Sequence, residues 1–373
     1  MKKAYLKLMS FLLAICVTAG MLPVSASAEQ TMPGQIVETI AVSDPVYNAP
    51  SYITEDAAVE LLTEKMQERQ ETIVVQVCTD TSDYSLVSRR IMEKACMHMD
   101  IPTAGDYLHF HRNGYLVNIS YYPGDTGPYY YTFTYTIGYY TTKQQEQLLD
   151  AAIADLLEEL ALNGKSDYEK VAGVYHYMTQ NITYDYDNLE DEHYNLKYTA
   201  YAALMNKTAV CQGYANLFYR LMLELGVDCR IVTGIGNGGD HAWNIVKLDG
   251  KYYNVDATWD SQQVQAGREY RYFLRCEESF DDHDRDGEYR TTEFYAEHPM
   301  GETDYTPVKY GDADGANGVT SADAALILQY VAGWAVNIDA VAADVDNNGE
   351  VTGVDAALIL QYVAGWDVNL GAA

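Results

Sequence analysis

The chain has 373 residues, which leaves room for two or three domains. Its 54 acidic residues against 24 basic ones give a formal net charge of −30, and this excludes a nucleic-acid-binding protein, because a protein that binds the phosphate backbone needs a basic face. The acidic balance fits a soluble extracellular protein that tolerates calcium.

Residues 1–28 are typical of a secretory signal peptide. Lysines precede an apolar run, and A-S-A at residues 26–28 forms a small-residue cleavage site. Cys16 does not predict a lipid anchor, because Ile15 occupies the position where a lipobox needs a small residue. We therefore expect a secreted protein that begins near Glu29 and has no membrane anchor, since no other apolar run is long enough to span a bilayer.

An odd number of cysteines remains after that cleavage, so at least one thiol must be free. Spacing does not show whether any of the others pair. The five residues are Cys78, Cys96, Cys211, Cys229 and Cys276.

Residues 29–165 are predicted to hold a linker and then an α+β region. Prolines and small residues without periodicity make residues 29–50 a linker or an extended arm. The strongest short hairpin signal, Asn113-Gly114, is expected to join the first two of three consecutive strands. The predicted order is helix 54–69, strand 72–78, helix 84–95, strands 107–111, 115–121 and 129–137, and helix 142–162.

Two functional interpretations of this region are weaker than their structural alternatives. Its tyrosine-rich strands could form a sugar-binding platform, but tyrosine is also a favoured strand residue. His98, His109 and His111 could mimic a metal set, with the last two on one strand face. No third ligand has convincing spacing, so we expect ordinary surface histidines.

A nucleophile, a base and a residue to orient the base follow one another further along the chain. A capping box, Ser166-x-x-Glu169, opens one helix, and Cys211 opens another that Gly226 ends. A thiol on the first turn of a helix lies at the positive end of the helix dipole, which favours the thiolate.

A β-hairpin is predicted next, with strands 241–247 and 252–257 around the type I′ turn signal Asp249-Gly250. This register makes His241 and Asp256 diagonal neighbours on one face of the sheet, close enough for an imidazole–carboxylate hydrogen bond. The order Cys, His, Asp therefore supplies the parts of a catalytic triad.

The motifs C-Q-G-Y-A, H-A-W-N and N-V-D-A-T-W, in that order, resemble the transglutaminase-like core, a branch of the papain-like cysteine enzymes. The resemblance runs from about Ser166 to Pro299. It implies that the helix bearing the cysteine packs on an antiparallel sheet, and that Cys211, His241 and Asp256 are catalytic. An inert buried thiol is the alternative for Cys211, but both partners are in place.

The end of this domain carries two further predictions. Residues 270–274 are expected to form another strand of the core sheet. Residues 282–293 have the spacing of a calcium loop, but a strand precedes them where an EF-hand needs a helix, so we expect a solvated acidic loop.

The tail, residues 310–373, is an internal repeat without a single lysine or arginine. The segment D-A-A-L-I-L-Q-Y-V-A-G-W occurs at residues 323–334 and again at 355–366, each time after an acidic loop. Oxygen ligands at alternate positions with a carboxylate at position twelve suit Ca²⁺. The candidate ligands are Asp312, Asp314, Gly318, Thr320 and Asp323 in the first loop, and Asp344, Asp346, Asn348, Glu350, Thr352 and Asp355 in the second.

This repeat resembles a type I dockerin, a small all-α module with EF-hand-like loops that binds the cohesin modules of scaffold proteins such as those of cellulosomes. The resemblance implies up to two calcium ions, and cohesin contacts through Ser321-Ala322 and Gly353-Val354. The first loop is predicted to be weaker, because Ala316 at position five offers no ligand. Asn317 replaces the glycine at position six, and asparagine tolerates a left-handed backbone.

The predicted fold class is therefore α+β, with a papain-like transglutaminase core, an N-terminal α/β region and an all-α dockerin. The resemblances imply a secreted cysteine-dependent enzyme that acts on peptide or carboxamide bonds and is tethered to a scaffold, with calcium as the only cofactor. We favour hydrolysis over protein cross-linking, because nothing marks a site for a lysine donor. A non-catalytic scaffold component is the alternative, and a polysaccharide hydrolase has no carboxylate pair in a glycosidase context.

Overall fold

The computed structural model of the protein describes residues 36–40, 52–121 and 127–371. The predicted signal peptide and Cys16 lie outside these residues. The described residues form two compact units, one up to Asn163 together with Lys170–Glu302, and one of Gly164–Glu169 with the residues from Thr303 onward. None of the helices within the described ranges combines the length and apolarity needed to cross a membrane.

The first unit begins with an α+β region. Its elements are β1 (Ile36–Ile40), α1 (Glu55–Gln67), β2 (Thr72–Thr79), α2 (Tyr84–Ala95), α3 (Asp106–His111), β3 (Arg112–Tyr121), β4 (Tyr129–Tyr139) and α4 (Lys143–Leu160). The sheet order is β1-β3-β4-β2, with β1 parallel to β3 and the other pairs antiparallel. Helices α1 and α2 contribute Leu62 and Ile91 to a core that they share with the buried face of this sheet. The four helices and strands predicted at 54–69, 72–78, 84–95 and 142–162 are confirmed.

The strand predicted at residues 107–111 is wrong, because these residues lie in α3. Gly105 has a φ of +57°, and a Cβ there would lie 2.9 Å from the backbone nitrogen of Met99, so the chain turns sharply into a helix. Asn113-Gly114 is not a hairpin turn either. It lies within β3, where the register with β4 shifts between Arg112 and Tyr115.

Two other expectations for this region, the linker and the surface position of His111, need correction, whereas the structural role favoured for the tyrosines gains support. The predicted linker contains β1. Tyr115, Tyr131 and Tyr135 are buried in the core, which removes them from any sugar-binding platform. His111 is fully buried rather than on the surface, and its burial lowers its pKa to about 3.

The rest of the first unit is built on a second sheet. Its elements are α5 (Asp167–Asn181), β5 (Thr183–Tyr184), β6 (Thr208–Ala209), α6 (Cys211–Glu224), β7 (Cys229–Gly236), β8 (Gly239–Leu248), β9 (Lys251–Val255), α7 (Ala257–Gln265), β10 (His283–Arg285) and α8 (Thr292–Glu297). The sheet order is β10-β7-β8-β9, and every pair is antiparallel. Helix α6 contacts β7 and β8 and buries Leu217, Phe218 and Leu221. The predicted fold, a cysteine-bearing helix on an antiparallel sheet, is confirmed.

The predicted hairpin register is also confirmed. Leu248 pairs with Lys251, and both turn residues have a positive φ, +50° at Asp249 and +77° at Gly250. The strand predicted at 270–274 is wrong, because Leu274 has a φ of +53°, which a regular strand cannot accommodate. The fourth strand is β10, which lies inside the predicted acidic loop.

A buried network of charges joins α4 to α6. The Glu146 carboxylate lies 3.0 Å from the guanidinium of Arg69, and it accepts hydrogen bonds from Tyr107 at 2.8 Å and Thr141 at 2.5 Å. The guanidinium of Arg220 lies 3.9 Å from the same carboxylate. Because the arginine side chains are almost fully buried, Glu146 neutralises charge that water cannot reach.

The second unit is helical. Helices α9 (Ser321–Val331), α10 (Ala340–Ala343) and α11 (Gly353–Val363) surround a small core that includes Ile327 and Ile359. These two isoleucines occupy equivalent positions in the two repeats.

Removing the carboxylate of the buried network should destabilise the first unit. We expect Glu146→Ala to lower the free energy of unfolding by about 3–5 kcal/mol, because it leaves the buried guanidinium of Arg69 uncompensated, whereas Arg220 keeps its ion pair with Asp150 at 2.8 Å. The matched control is Asp284→Ala, which breaks a solvent-exposed pair with Arg290 and should cost about 0–1 kcal/mol. Urea unfolding followed by fluorescence measures both, and equal losses in the two variants would contradict the assignment.

Candidate functional sites

Cys211 is the first residue of α6, as predicted. The preceding residue, Val210, caps this helix without a side-chain hydrogen bond. Gly213 of the C-Q-G-Y-A motif allows the close packing here, since a Cβ would lie 2.6 Å from the Cβ of Ala209 and 2.8 Å from the carbonyl oxygen of Lys197. The start of α6 is therefore tightly fixed, while the Cys211 side chain stays half-buried.

His241 and Asp256 meet at the end of the hairpin. His241 lies on β8, and Asp256 follows β9 as the N-cap of α7. The distance from His241 Nε2 to Asp256 Oδ2 is 3.0 Å. The other carboxylate oxygen, Oδ1, accepts the backbone N–H groups of Thr258 at 2.9 Å and Trp259 at 3.2 Å. The structure thus brings the predicted base and the predicted orienting carboxylate into direct contact.

Burial and neighbouring charges shift the pKa values of His241 and Asp256 in opposite directions. Burial alone would lower the pKa of His241, but the Asp256 carboxylate and a hydrogen bond to Cys211 raise it to about 10. Burial would raise the pKa of Asp256, yet His241 and His283 hold it well below its usual range. Since Nε2 of His241 binds Asp256, its Nδ1 is left for Cys211. The three predicted residues therefore form one electrostatically coupled group.

Two tryptophans enclose the imidazole of His241. The ring of Trp259 lies 4.9 Å from it and that of Trp243 6.0 Å, both nearly parallel to it. The indole of Trp243 donates to Asn254 Oδ1 at 3.2 Å. Gly236 makes room for this stack, because a Cβ there would lie 3.0 Å from Trp259. The imidazole is therefore held in place and shielded from water.

His283 is a site residue that sequence reasoning missed. Its side chain is fully buried on β10, and its Nε2 lies 3.3 Å from Asp256 Oδ2. The only sequence signal is the period-two alternation of H-D-R, in which positions 283 and 285 face the same side. The acidic residues around it had favoured a solvated loop.

The carboxylates of residues 282–293 do not converge on one point. Asp282 bonds to Arg271 at 3.2 Å, and Asp286 bonds to Thr233 at 2.6 Å. Asp284 bonds to Arg290 instead. This segment is thus neither a calcium loop nor simply a solvated one.

The two repeats of the second unit each gather three carboxylates. One oxygen from each of Asp312, Asp314 and Asp323 lies within 4.8 Å of the others, and Asp344, Asp346 and Asp355 do the same. Oδ1 of Asp312 is buried without a hydrogen-bond partner, which suits a cation ligand. The chemistry of both loops therefore fits Ca²⁺.

The remaining candidate ligands are placed as the repeat predicts. Thr320 and Thr352 are the N-caps of α9 and α11, and their hydroxyls donate to Asp323 and Asp355. The loop position of Gly349, whose φ is +90°, is taken in the first loop by Asn317 with a φ of +65°, so the expected left-handed asparagine is confirmed. Gly318 and Glu350 occupy the position that offers a backbone carbonyl, and Asn348 has a side-chain oxygen where Ala316 has none.

Comparison with known families identifies both parts of the chain. Residues 154–257 match the model of the transglutaminase-like superfamily, and residues 310–364 match that of the dockerin type I domain. The chain combines a transglutaminase-like core with a type I dockerin. Type I dockerins generally bind calcium, which agrees with the carboxylate clusters of the second unit.

The curated relatives match about a third of this chain. The kyphoscoliosis peptidases of Mus musculus and Homo sapiens are 31% identical to this chain over 130 residues, which cover 32% of the chain and 19% of each relative. The chain thus spans about a fifth of their length. A crystal structure of a TGase is 19% identical, with a TM-score of 0.30 over 58% of this chain and 61% of that one.

The buried pair of His241 and Asp256 should make stability depend on pH. Because the pKa of His241 is raised from its ordinary value of about 6.5, its contribution to the free energy of unfolding is fully present below about pH 6.5. This contribution is lost as the pH rises through about 10. The depressed carboxylate pKa adds stability above about pH 4 that is lost in acid. We therefore expect the stability lost in Asp256→Asn to be greatest between about pH 4 and 6.5 and to shrink toward pH 10.

Urea unfolding at pH 5, 7.5 and 9.5 measures this difference. The control is Asp284→Asn at the exposed Arg290 pair, whose effect should stay below about 1 kcal/mol at each pH. A stability loss in Asp256→Asn that is the same at all three pH values would argue against the coupled pair.

Proposed function

We propose that this protein is a cysteine-dependent hydrolase of peptide or carboxamide bonds, with Cys211 as nucleophile, His241 as acid and base, and Asp256 as the residue that orients His241. The observation that carries the proposal is the buried hydrogen bond between His241 and Asp256, with the other imidazole nitrogen left for Cys211. A buried imidazole fixed by a carboxylate beside a thiol is the arrangement that nucleophilic catalysis by cysteine requires.

In the first step the Cys211 thiolate attacks the carbonyl carbon of the substrate. Backbone N–H groups in the first turn of α6 stabilise the oxyanion that forms, since no side chain caps this turn. When the tetrahedral intermediate collapses, the carbon–nitrogen bond breaks and the imidazolium of His241 gives its proton to the leaving amine. The product is a thioester on Cys211.

In the second step His241, now neutral, takes a proton from water, and the resulting hydroxide attacks the thioester. The carbon–sulfur bond breaks, the carboxylic acid leaves, and Cys211 and His241 return to their starting states. An amine in place of water would give a cross-link. We favour water, because the chain shows no site reserved for an amine donor and the curated relatives are named peptidases.

In this proposal, residues 29–165 help to hold the start of the helix that carries Cys211. The side chain of Gln212, next to the nucleophile, donates to the carbonyl oxygen of Phe110 at 2.6 Å. We assign residues 166–300 to the catalytic domain, residues 29–165 to this supporting region and residues 310–373 to the dockerin.

In this proposal, the dockerin attaches the catalytic domain to a scaffold protein. We infer that it binds a cohesin module of an extracellular scaffold and that the secreted chain works as one component of a cellulosome-like complex. Calcium bound in the two loops would hold α9 and α11 in place, since metal binding and folding are coupled in such small modules. The triad needs no metal.

The thiol chemistry provides the direct test of the proposal. We expect iodoacetamide to alkylate Cys211 below pH 7, because the imidazole of His241 is hydrogen-bonded to this thiol and can accept its proton. Cys78 on β2 is the matched control, since it is also half-buried. Peptide mapping by mass spectrometry measures both rates.

Cys96, Cys229 and Cys276 are buried and should react last. Cys211→Ala should abolish hydrolysis of peptide substrates with no change in the circular dichroism spectrum. Labelling that is uniform and begins only in alkali would refute the proposal and favour a non-catalytic scaffold role.

The calcium loops should fill in order. The loop at Asp344 has one more side-chain oxygen than the loop at Asp312, because Asn348 stands where the first loop has Ala316. We therefore expect Asp344→Ala to remove the tighter site and Asp312→Ala the weaker one. Calorimetry on the full chain should resolve two affinities, and chelator should reduce helicity. Two equal sites would contradict this ranking.

A further inference from the structure

His283 lies between two carboxylates in the interior of the first unit. Its Nε2 lies 3.3 Å from Asp256 Oδ2, and its Nδ1 lies 2.8 Å from Asp282 Oδ1. Carboxylate oxygens accept hydrogen bonds, so a ring nitrogen that carries a proton donates it to the carboxylate it faces, Nε2–H to Asp256 or Nδ1–H to Asp282. Hydrogen bonds thus connect five side chains in one chain of contacts, in the order Asp282, His283, Asp256, His241 and Cys211.

Aromatic packing prevents the His283 ring from turning. Phe280 stacks on it with ring centroids 3.9 Å apart, and the rings of Trp259 and Trp243 lie at 4.3 Å and 4.9 Å. The side chain has no solvent exposure. Because the ring cannot turn, an N–H group of His283 fixes the position of the carboxylate oxygen that accepts its hydrogen bond.

That acceptor is the carboxylate oxygen that binds the proposed catalytic base. Backbone N–H groups of α7 hold only Oδ1 of Asp256, and those bonds leave the carboxylate free to tilt about them. Oδ2 accepts from His241 and His283. The donor from His283 therefore sets the plane of the carboxylate.

We propose that His283 is a positioning residue: its hydrogen bond to Asp256 Oδ2 holds this carboxylate in the orientation that directs His241 toward Cys211. This inference rests on the proposed catalytic role of Cys211. His283 itself does not touch the reacting atoms.

The charged and titratable groups that face His283, Asp256 and His241 are as follows. His283 faces Asp256 and Asp282, and Asp282 is also bound by Arg271 and by the hydroxyl of Tyr272 at 2.9 Å. Asp260, one turn into α7, lies near Asp256, but its carboxylate accepts bonds from Tyr175 and from the backbone of residues 271 and 272. His241 faces Asp256, Cys211 and the His283 ring, whose centroid is 5.3 Å away.

The test compares two substitutions in the full-length protein. His283→Phe keeps the aromatic packing and removes both donors, whereas His283→Gln keeps an N–H near the position of Nε2. The readout is the rate at which iodoacetamide alkylates Cys211 at pH 6 and at pH 9.5. Cys78 is the internal control, and thermal unfolding checks the fold.

At pH 6 we expect His283→Phe to react about tenfold more slowly than the unsubstituted protein, because a misaligned Asp256 stabilises the imidazolium less. His283→Gln should react within about threefold of it. All three proteins should react alike at pH 9.5, above the ordinary value of about 8.5 for a free thiol, where the thiolate forms without help.

Equal rates for His283→Phe and the unsubstituted protein at pH 6 would overturn the inference, as would a glutamine variant as slow as the phenylalanine one. Slow labelling of His283→Phe at both pH values would also overturn it, because it would indicate a packing defect. If the unsubstituted protein shows no preference for Cys211 at pH 6, the proposed function itself fails, and the inference with it.

Discussion

The carboxylate of Asp256 is the group on which the geometry of the site depends. It ends β9 and begins α7, and its side chain receives four N–H groups, two from the first turn of α7 and one from each of two histidines. The same carboxylate therefore caps a helix and holds the imidazole of His241 in place. The local cost of burying a charge is offset by these donors, and the helix N-terminus adds its dipole.

The α+β region holds the start of α6, the helix that Cys211 begins, in place, although the sequence motifs lie elsewhere. Asp106 of α3 binds the guanidinium of Arg230 at 2.8 Å and the backbone N–H of Ile231 at 3.0 Å. Phe110, at the other end of α3, accepts the bond from Gln212. One short helix thus contacts both β7 and the start of α6, and it connects the two sheets of the unit through polar bonds rather than apolar packing alone.

Local sequence signals predicted what depends on local chemistry. The helix starts near Thr54 and Thr142, the turn at Asp249-Gly250 and the helix that begins at Cys211 each follow from a few adjacent residues. The errors arose where distant contacts decide. Residues 107–111 have strand composition, but the turn at Gly105 and the packing of Tyr107 against Glu146 make them helical. His283 was missed because its partner, Asp256, lies 27 residues earlier, in a contact that no period reveals.

The two-residue turn between β8 and β9 limits how the length of this core can vary. Side chains alternate between the faces of a strand, so adding one residue to the turn would move either His241 or Asp256 to the opposite face and separate them. The exposed turn that follows α7, residues 266–269, carries no such constraint, whereas the chain beyond it is fixed by bonds from the backbone N–H groups of Arg271 and Tyr272 to Asp260. Length changes among relatives should therefore accumulate between residues 266 and 269 and be absent at Asp249-Gly250.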